Sequence, residues 1–320
     1  MKLSIIIPAY NIGELLYTAV QSVINQNFDD WELIIVDDGS RDNTPEVAEK
    51  IALQDDRIRV VHTENQGAYK ARLTGVDYSM GDWIMFMDSD DSITKECISG
   101  LFSGIKPDVD IVVGTLNLNN RSLYKHKVQG VISSEEYFKA ILRKETTIGP
   151  VAKIYRKELF RDIPVPEIKI TLNEDLLLLL ALASNSRKIN IMPELVCYNY
   201  IFRENSGRLS TMSFEQWNVL YETISRLIER YDNHMEINRA LMNYKLTTIS
   251  KVFIPRGQFV NESTPFFREL VLQAGKESLS NEEREVINLI KSPFRQKLSY
   301  ILLRFKTRAK KIIKKSFGIK

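Results

Sequence analysis

Phe86-Met87-Asp88-Ser89-Asp90-Asp91 follows directly on the apolar run Trp83-Ile84-Met85-Phe86-Met87. A buried strand is thus expected to end in three acidic residues within four positions. Folding alone does not ask for that. Like charges in a tight bend repel one another unless a cation sits between them. The stretch predicts a metal site at the carboxyl end of a parallel strand, where open α/β sheets place their ligands.

Upstream, short apolar runs alternate with helical patterns. Leu3 to Pro8, Trp31 to Val36 and Ile58 to His62 read as buried strands. Helices are expected over Gly13–Asn25, from Pro45 to Gln54 with Thr44 as N-cap, and over Ala68–Met80. This β-α-β-α-β-α-β order implies a parallel sheet with right-handed crossovers and helices on its faces. Downstream, a helix is expected at Lys95–Gly104, a strand at Val109–Leu116 and a polar excursion or hairpin at Asn117–Gln129. Ser133 with Glu136 forms a capping box for a helix to about Leu142. Val151–Tyr155 is a short strand containing Lys153, and Arg187–Tyr200 is expected as two strand pieces around Pro193. Asn173 caps a helix that opens with Glu174-Asp175 and continues through the apolar Leu176–Ala183. From Phe214 onward the pattern is helical.

Composition is that of an ordinary globular protein, with 320 residues, 44% hydrophobic and 27% charged. The two cysteines, Cys97 and Cys197, are far apart and in no metal spacing, which fits a reducing, cytoplasmic setting. The longest apolar run, Leu176–Ala183, is far short of a membrane span. The net charge of +3 is uneven. From Lys291 onward there are eleven Lys or Arg and no acid, leaving 33 of the 44 basic residues against all 41 acidic ones. In this tail Leu298, Ile301, Leu302, Phe305, Ile312, Ile313 and Phe317 share one helical face, with most basic residues off it. That is the pattern of a helix lying on an anionic bilayer, and it predicts peripheral attachment to the inner face of the cell membrane. The regular apolar stripe argues against nucleic acid as the partner.

Three acidic elements stand out: Asp37-Asp38, Asp88/Asp90 and Glu174-Asp175. Asp-Gly-Ser after Asp38 is also ordinary turn chemistry, and carboxylates in a first helical turn are favoured by the helix dipole. Their joint occurrence at the ends of α/β elements points to one site. Arg203–Ser210 has the polar composition of a lid or of a plain surface linker.

Taken in order, several motifs resemble family 2 glycosyltransferases of the GT-A fold. They are Ser4-Ile5-Ile6-Ile7-Pro8-Ala9-Tyr10-Asn11, Val36-Asp37-Asp38-Gly39-Ser40-Arg41-Asp42, Asn65-Gln66-Gly67 with Ala71-Arg72, Asp88-Ser89-Asp90-Asp91, and Glu174-Asp175. The resemblance covers about residues 1–205. It implies a Rossmann-like, mostly parallel central sheet flanked by helices, followed by a helical C-terminal region. The expected divisions are 1–212 (catalytic), 213–293 (helical) and 294–320 (basic amphipathic helix).

For the site, the resemblance implies that Pro8, Ala9, Tyr10, Asp37 and Asp38 hold the nucleotide, with Gly67, Arg72 and Ser89 on the donor. Asp88 and Asp90 match the Asp-x-Asp motif that binds Mn²⁺ or Mg²⁺ against the donor diphosphate. Asp175 matches the catalytic base, with Glu174 beside it, and Lys153 lies in a segment common in the family ahead of that base. Two positions depart from the pattern, Leu73 where many members have Asn and Asn173 where many have Gly. The implied function is an inverting, metal-dependent glycosyltransferase. It would move sugar from a nucleotide-diphosphate donor, expected to be UDP-linked, to a glycan or lipid-linked glycan hydroxyl. The competing classes are a sugar nucleotidyltransferase, which would need a glycine-rich loop where Ala9-Tyr10-Asn11 stands, and a catalytically silent nucleotide-sugar-binding protein.

Overall fold

The structure is a computed structural model that describes residues 2–119, 122–201, 212–232, 234–256, 265–275, 279–292, 295–297 and 299–300. Its elements run β1 (Leu3–Ala9), α1 (Leu15–Ile24), β2 (Trp31–Asp37), α2 (Thr44–Ala52), β3 (Ile58–His62), α3 (Ala68–Tyr78) and β4 (Trp83–Phe86). Next come β5 (Ser92–Ile93), α4 (Cys97–Ser103), β6 (Val109–Leu118), β7 (Ser122–Leu123), β8 (Gly130–Ser133), α5 (Ser134–Leu142) and β9 (Lys153–Arg156). They are followed by α6 (Glu174–Asn185), β10 (Lys188–Tyr200), α7 (Phe214–Ile228), α8 (His234–Thr248), α9 (Pro265–Ala274) and α10 (Asn281–Ile290).

One sheet carries the strands in the order β3-β2-β1-β4-β9-β6-β10-β5, with β7 on β6 and β8 on β10. β1 to β4 pair in parallel, as the alternation predicts, and β6 and β10 pair in parallel as well. β9 lies antiparallel to both β4 and β6, so the sheet is mixed at its centre. Buried Leu3, Ile5, Ile7, Leu33 and Ile35 pack with Leu16, Val20, Val23, Val47 and Ile51 of α1 and α2. Near-continuous apolar strands of this kind need cover on both faces. α6 is buried from Leu176 through Ala183, which explains a helix with no polar face.

Some local expectations change. Thr44 is the first residue of α2 rather than its cap, and Asn43 takes the cap position. The Thr44 hydroxyl instead accepts the N–H groups of Ile12 and Gly13, at 2.9 and 2.8 Å. These amides belong to the turn after β1 and have no strand partner, so a buried acceptor from α2 serves them. The expected two strand pieces of Arg187–Tyr200 form one long strand, Lys188–Tyr200, with a register shift between Ile191 and Val196 that spans Pro193. Proline donates no hydrogen bond to a ladder, and the Pro193 carbonyl accepts from the Thr115 hydroxyl instead. The capping box of α5 forms as expected.

The chain divides into compact units Met1–His234 and Met235–Lys320, later than residue 212. α7 packs against α6 and so belongs to the first unit. In the second unit the Ser280 cap of α10 is a capping box with Glu283, which also pairs with Arg239 at 3.3 Å. The expected lid at 203–210 lies outside the described residues, as does nearly all of the expected tail helix at 294–320. Among the described residues no helix is long and apolar enough to cross a membrane.

Candidate active site

The strand register brings the motifs to one edge. Ala9 ends β1 opposite Asp37, and Ile6 pairs with Phe86, so the segments leaving β1, β2 and β4 emerge side by side. There Pro8, Ala9, Tyr10, Asp38, Ala68, Arg72, Asp88, Ser89 and Asp90 line one pocket. This is the carboxyl edge of the parallel strands, where loops are free to form a binding site.

Of the two β2 carboxylates, only Asp38 lines that pocket. Its Oδ1 accepts the Gln66 N–H and its Oδ2 the Gly67 N–H, both at 2.8 Å. Asp38 therefore clamps the Asn65–Gly67 loop at the start of α3. Gly67 has φ +94°, a conformation open to glycine. Gly39 has φ +69°, and a Cβ there would stand 2.8 Å from the Asn65 nitrogen. Asp37 is buried, with Oδ1 on the Ser40 N–H at 3.1 Å and Oδ2 on His62 Nδ1 at 3.0 Å. Expected as a nucleotide ligand, it braces the turn from behind. His62 also meets Glu49 at 2.9 Å, and the two carboxylates, Asp37 first, raise the imidazole above its usual pKa.

Arg72 joins the other two acidic elements. Its guanidinium is buried (3% exposed) and donates from Nη2 to Asp88 Oδ1 at 2.9 Å and from Nη1 to Asp175 Oδ1 at 2.7 Å. A planar fork suits two carboxylates arriving from different elements. α6 delivers Asp175 because Asn173 adopts a left-handed conformation, φ 63°, just before the helix. That accounts for asparagine where glycine is common, since asparagine tolerates this region better than other side chains. Asn173 makes no side-chain cap. Burial, then Asp175, push Glu174 up to about 7. Burial also raises Asp88, with Arg72 opposing.

The acidic turn does not gather its three carboxylates on one point. Asp91 is 1% exposed and turns inward, accepting the Tyr198 hydroxyl at 2.9 Å and the Ile201 N–H at 2.8 Å. Burial raises it to about 7. The turn thus relieves its own repulsion by sending Asp88 to Arg72 and Asp91 to Tyr198. Among the described residues no group of three His, Cys, Asp or Glu could hold a metal unaided. Asp88 and Asp90 still fit a hard cation whose remaining ligands come from a diphosphate and water. Both line the pocket, both are oxygen donors, and Asp88 Oδ2 has no hydrogen bond within the described residues.

Lys153 is buried and fully occupied by Thr147 Oγ1 and the carbonyls of Gly149 and Val151, at 2.6, 2.7 and 3.1 Å. Burial lowers it to about 7. It fixes the loop before β9. Two contributors carry no chemical signal in the sequence. Tyr198 lies within a strand pattern that gives it no role beyond packing. Lys169, in a stretch with no periodic signal, donates to Asn65 Oδ1 at 2.8 Å and so ties the segment before α6 to the loop held by Asp38.

A mixed α/β sheet with a pocket at its carboxyl edge lined by Asp38, Asp88 and Asp90, and with Arg72 linking Asp88 to Asp175, defines a GT-A-type domain. The chain belongs to glycosyl transferase family 2, whose profile matches residues 4–164. It is similar to glycosyltransferase GlyG of Streptococcus pneumoniae, with 30% identity over 176 residues, covering 50% of this chain and 58% of GlyG. It is also similar to a GalNAc(5)-diNAcBac-PP-undecaprenol beta-1,3-glucosyltransferase of Campylobacter jejuni, with 37% identity over 102 residues, covering 31% of this chain and 33% of that protein. Its alignments thus span about half the length of such curated relatives, or less. In structure it is similar to S. aureus TarS 1–349 in complex with UDP-GlcNAc, with a TM-score of 0.68 and 22% identity over 90% of this chain and 79% of that one.

Proposed function

We propose that the chain is an inverting glycosyltransferase that takes a nucleotide-diphosphate sugar, UDP-linked, and glycosylates a hydroxyl of a glycan or lipid-linked glycan. The observation that carries this reading is the Arg72 bridge. It brings the carboxylate matching the metal motif, Asp88, within one guanidinium of the carboxylate matching the base, Asp175. The donor reading also draws on TarS, which is described with UDP-GlcNAc. The acceptor reading draws on the undecaprenol-linked substrate in the name of the C. jejuni protein.

Pro8, Ala9, Tyr10 and Asp38 form the wall that would receive the nucleotide, and the Asp38 clamp keeps the adjoining loop from collapsing into it. Asp88 and Asp90 would hold Mn²⁺ or Mg²⁺, which when bound neutralises charge on the departing diphosphate. Asp175 is 42% exposed and Arg72 occupies only its Oδ1, which leaves Oδ2 to take the proton of an acceptor hydroxyl as it attacks the anomeric carbon. One displacement inverts the configuration and needs no protein nucleophile. Glu174, whose pKa burial raises to about 7, stands beside Asp175 and in its ionised form is a second proton acceptor. The basic tail, by its sequence pattern, would keep the enzyme at an anionic membrane surface where a lipid-linked acceptor resides.

A panel of nucleotide sugars assayed for hydrolysis and transfer tests the reading. Turnover of at least one UDP-sugar is expected, abolished by chelator and restored by Mn²⁺ or Mg²⁺. Metal-independent turnover would remove the assigned roles of Asp88 and Asp90. Asp175→Asn should bind donor without transferring sugar. Truncation at about residue 293 should abolish co-sedimentation with anionic liposomes, and undiminished binding would refute the membrane role.

A further inference from the structure

The hydrogen bonds behind the acidic turn have a fixed direction. The Asp88 N–H can only donate, and it points at the Tyr198 hydroxyl oxygen at 3.0 Å. That oxygen is therefore an acceptor, and the single phenolic proton goes to Asp91 Oδ2 at 2.9 Å. Asp91 Oδ1 receives the Ile201 N–H at 2.8 Å. Tyr198 is fully buried in β10, and its neighbour across the ladder is Ile93 of β5, just beyond the turn. So the backbone of Asp88 is gripped from behind by a phenol, and the phenol is aimed by a buried carboxylate.

Packing does not explain this arrangement. A phenylalanine would fill the space of the Tyr198 ring, and an apolar residue at 91 would spare the cost of burying an acid. What the pair supplies is orientation of the turn that carries Asp88 and Asp90. We propose that Tyr198 and Asp91 are positioning residues that hold this turn in its cation-binding geometry, Asp91 acting through Tyr198. The inference rests on the metal reading of Asp88 and Asp90. Hydrogen bonds behind a metal's own ligands commonly contribute about tenfold to a hundredfold in metal affinity.

The test is Mn²⁺ binding by full-length protein in the presence of UDP, followed by the paramagnetic resonance of free Mn²⁺, with thermal unfolding measured alongside. Tyr198→Phe keeps the ring and removes the hydroxyl. It should weaken Mn²⁺ binding about tenfold, while UDP binding without metal stays unchanged. Asp91→Asn keeps the shape but replaces one acceptor with a donor and should weaken Mn²⁺ similarly. It carries the test if Tyr198→Phe fails to fold. Because Asp91 works through Tyr198, the double variant should lose little more than the worse single variant. Mn²⁺ affinity within about twofold of wild type in Tyr198→Phe would overturn the proposal, whatever the melting temperature, since the expected loss is about tenfold. So would fully multiplicative losses in the double variant. Asp90→Asn separates the two readings. If it abolishes Mn²⁺ binding and Tyr198→Phe does not change it, only the positioning role falls. If wild type binds no Mn²⁺, or Asp90→Asn binds as wild type does, the metal reading falls and takes this inference with it.

Discussion

Replacing Arg72 with lysine keeps the charge and removes the fork. Arg72 spans Asp88 and Asp175 with two separate nitrogens, at 2.9 and 2.7 Å, from a position 3% exposed. A lysine ammonium is a single point on a flexible stem and can satisfy one carboxylate at a time. A hydrogen bond to a charged group contributes about 1.5–3 kcal/mol. The Asp88 side chain is 31% exposed and takes a value in that range; Asp175 is 42% exposed, so solvent screening cuts its share to about half. Removing both contacts with Arg72→Met should then cost about 3 kcal/mol, and Arg72→Lys roughly half of that. For a unit of this size the lysine variant should melt about 3–6 °C lower. Turnover should fall further than stability, on the order of a hundredfold, because metal turn and base are no longer held at one spacing. Denaturant unfolding and nucleotide-sugar turnover, measured on the same preparations, read the two effects separately. If Arg72→Lys turned over within about threefold of wild type, against the hundredfold expected, the bridge would not be what couples the two carboxylates.

Glu174→Gln tests the cost of burying a carboxyl. Folded Glu174 keeps its proton up to about 7, while an ordinary glutamate gives it up near 4.5. Between these values the native state binds more protons, so stability falls as pH rises. The variant should match wild type near pH 4 and be more stable by about 1–3 kcal/mol at pH 8 in urea unfolding, with lower transfer activity. His62 slopes the same way from a favourable contact: raised by Asp37 and Glu49, it contributes stability below its usual pKa of 6.5 that is lost as pH rises through its folded value. The imidazole is 45% exposed, so the advantage of wild type over His62→Gln should stay under about 1 kcal/mol at pH 6 and vanish by pH 9. Gly39→Ala puts a Cβ at φ +69° and 2.8 Å from the Asn65 nitrogen. It should cost at least about 1–2 kcal/mol and weaken UDP binding, measured calorimetrically, because Asn65 belongs to the loop that Asp38 clamps.

Much of the site is legible before any folding is considered. Apolar runs of strand length, each followed by a polar or acidic turn, report β1, β2 and β4 and what leaves them. In a parallel sheet the carboxyl ends must share an edge. Pro8, Ala9, Tyr10, Asp38, Ser89, Asp88 and Asp90 come together on that account. Asp37 and Asp38 are adjacent in the chain, yet strand alternation sends one to the pocket and the other to His62. The same limit applies to Asp91, whose neighbours along the chain say nothing of Tyr198 more than a hundred residues away.

The sequence by itself determined the alternating α/β order, the edge at which chemistry could occur and the acidic residues available for it. These follow from periodicity and turn chemistry, which are local. The tertiary structure decided the antiparallel course of β9, the inward turn of Asp91 and the Arg72 bridge that brings Asp175 to Asp88. Each depends on which groups remain unsatisfied once distant strands have packed. A buried guanidinium takes whatever carboxylates the closed fold presents, and their spacing along the chain does not encode that choice.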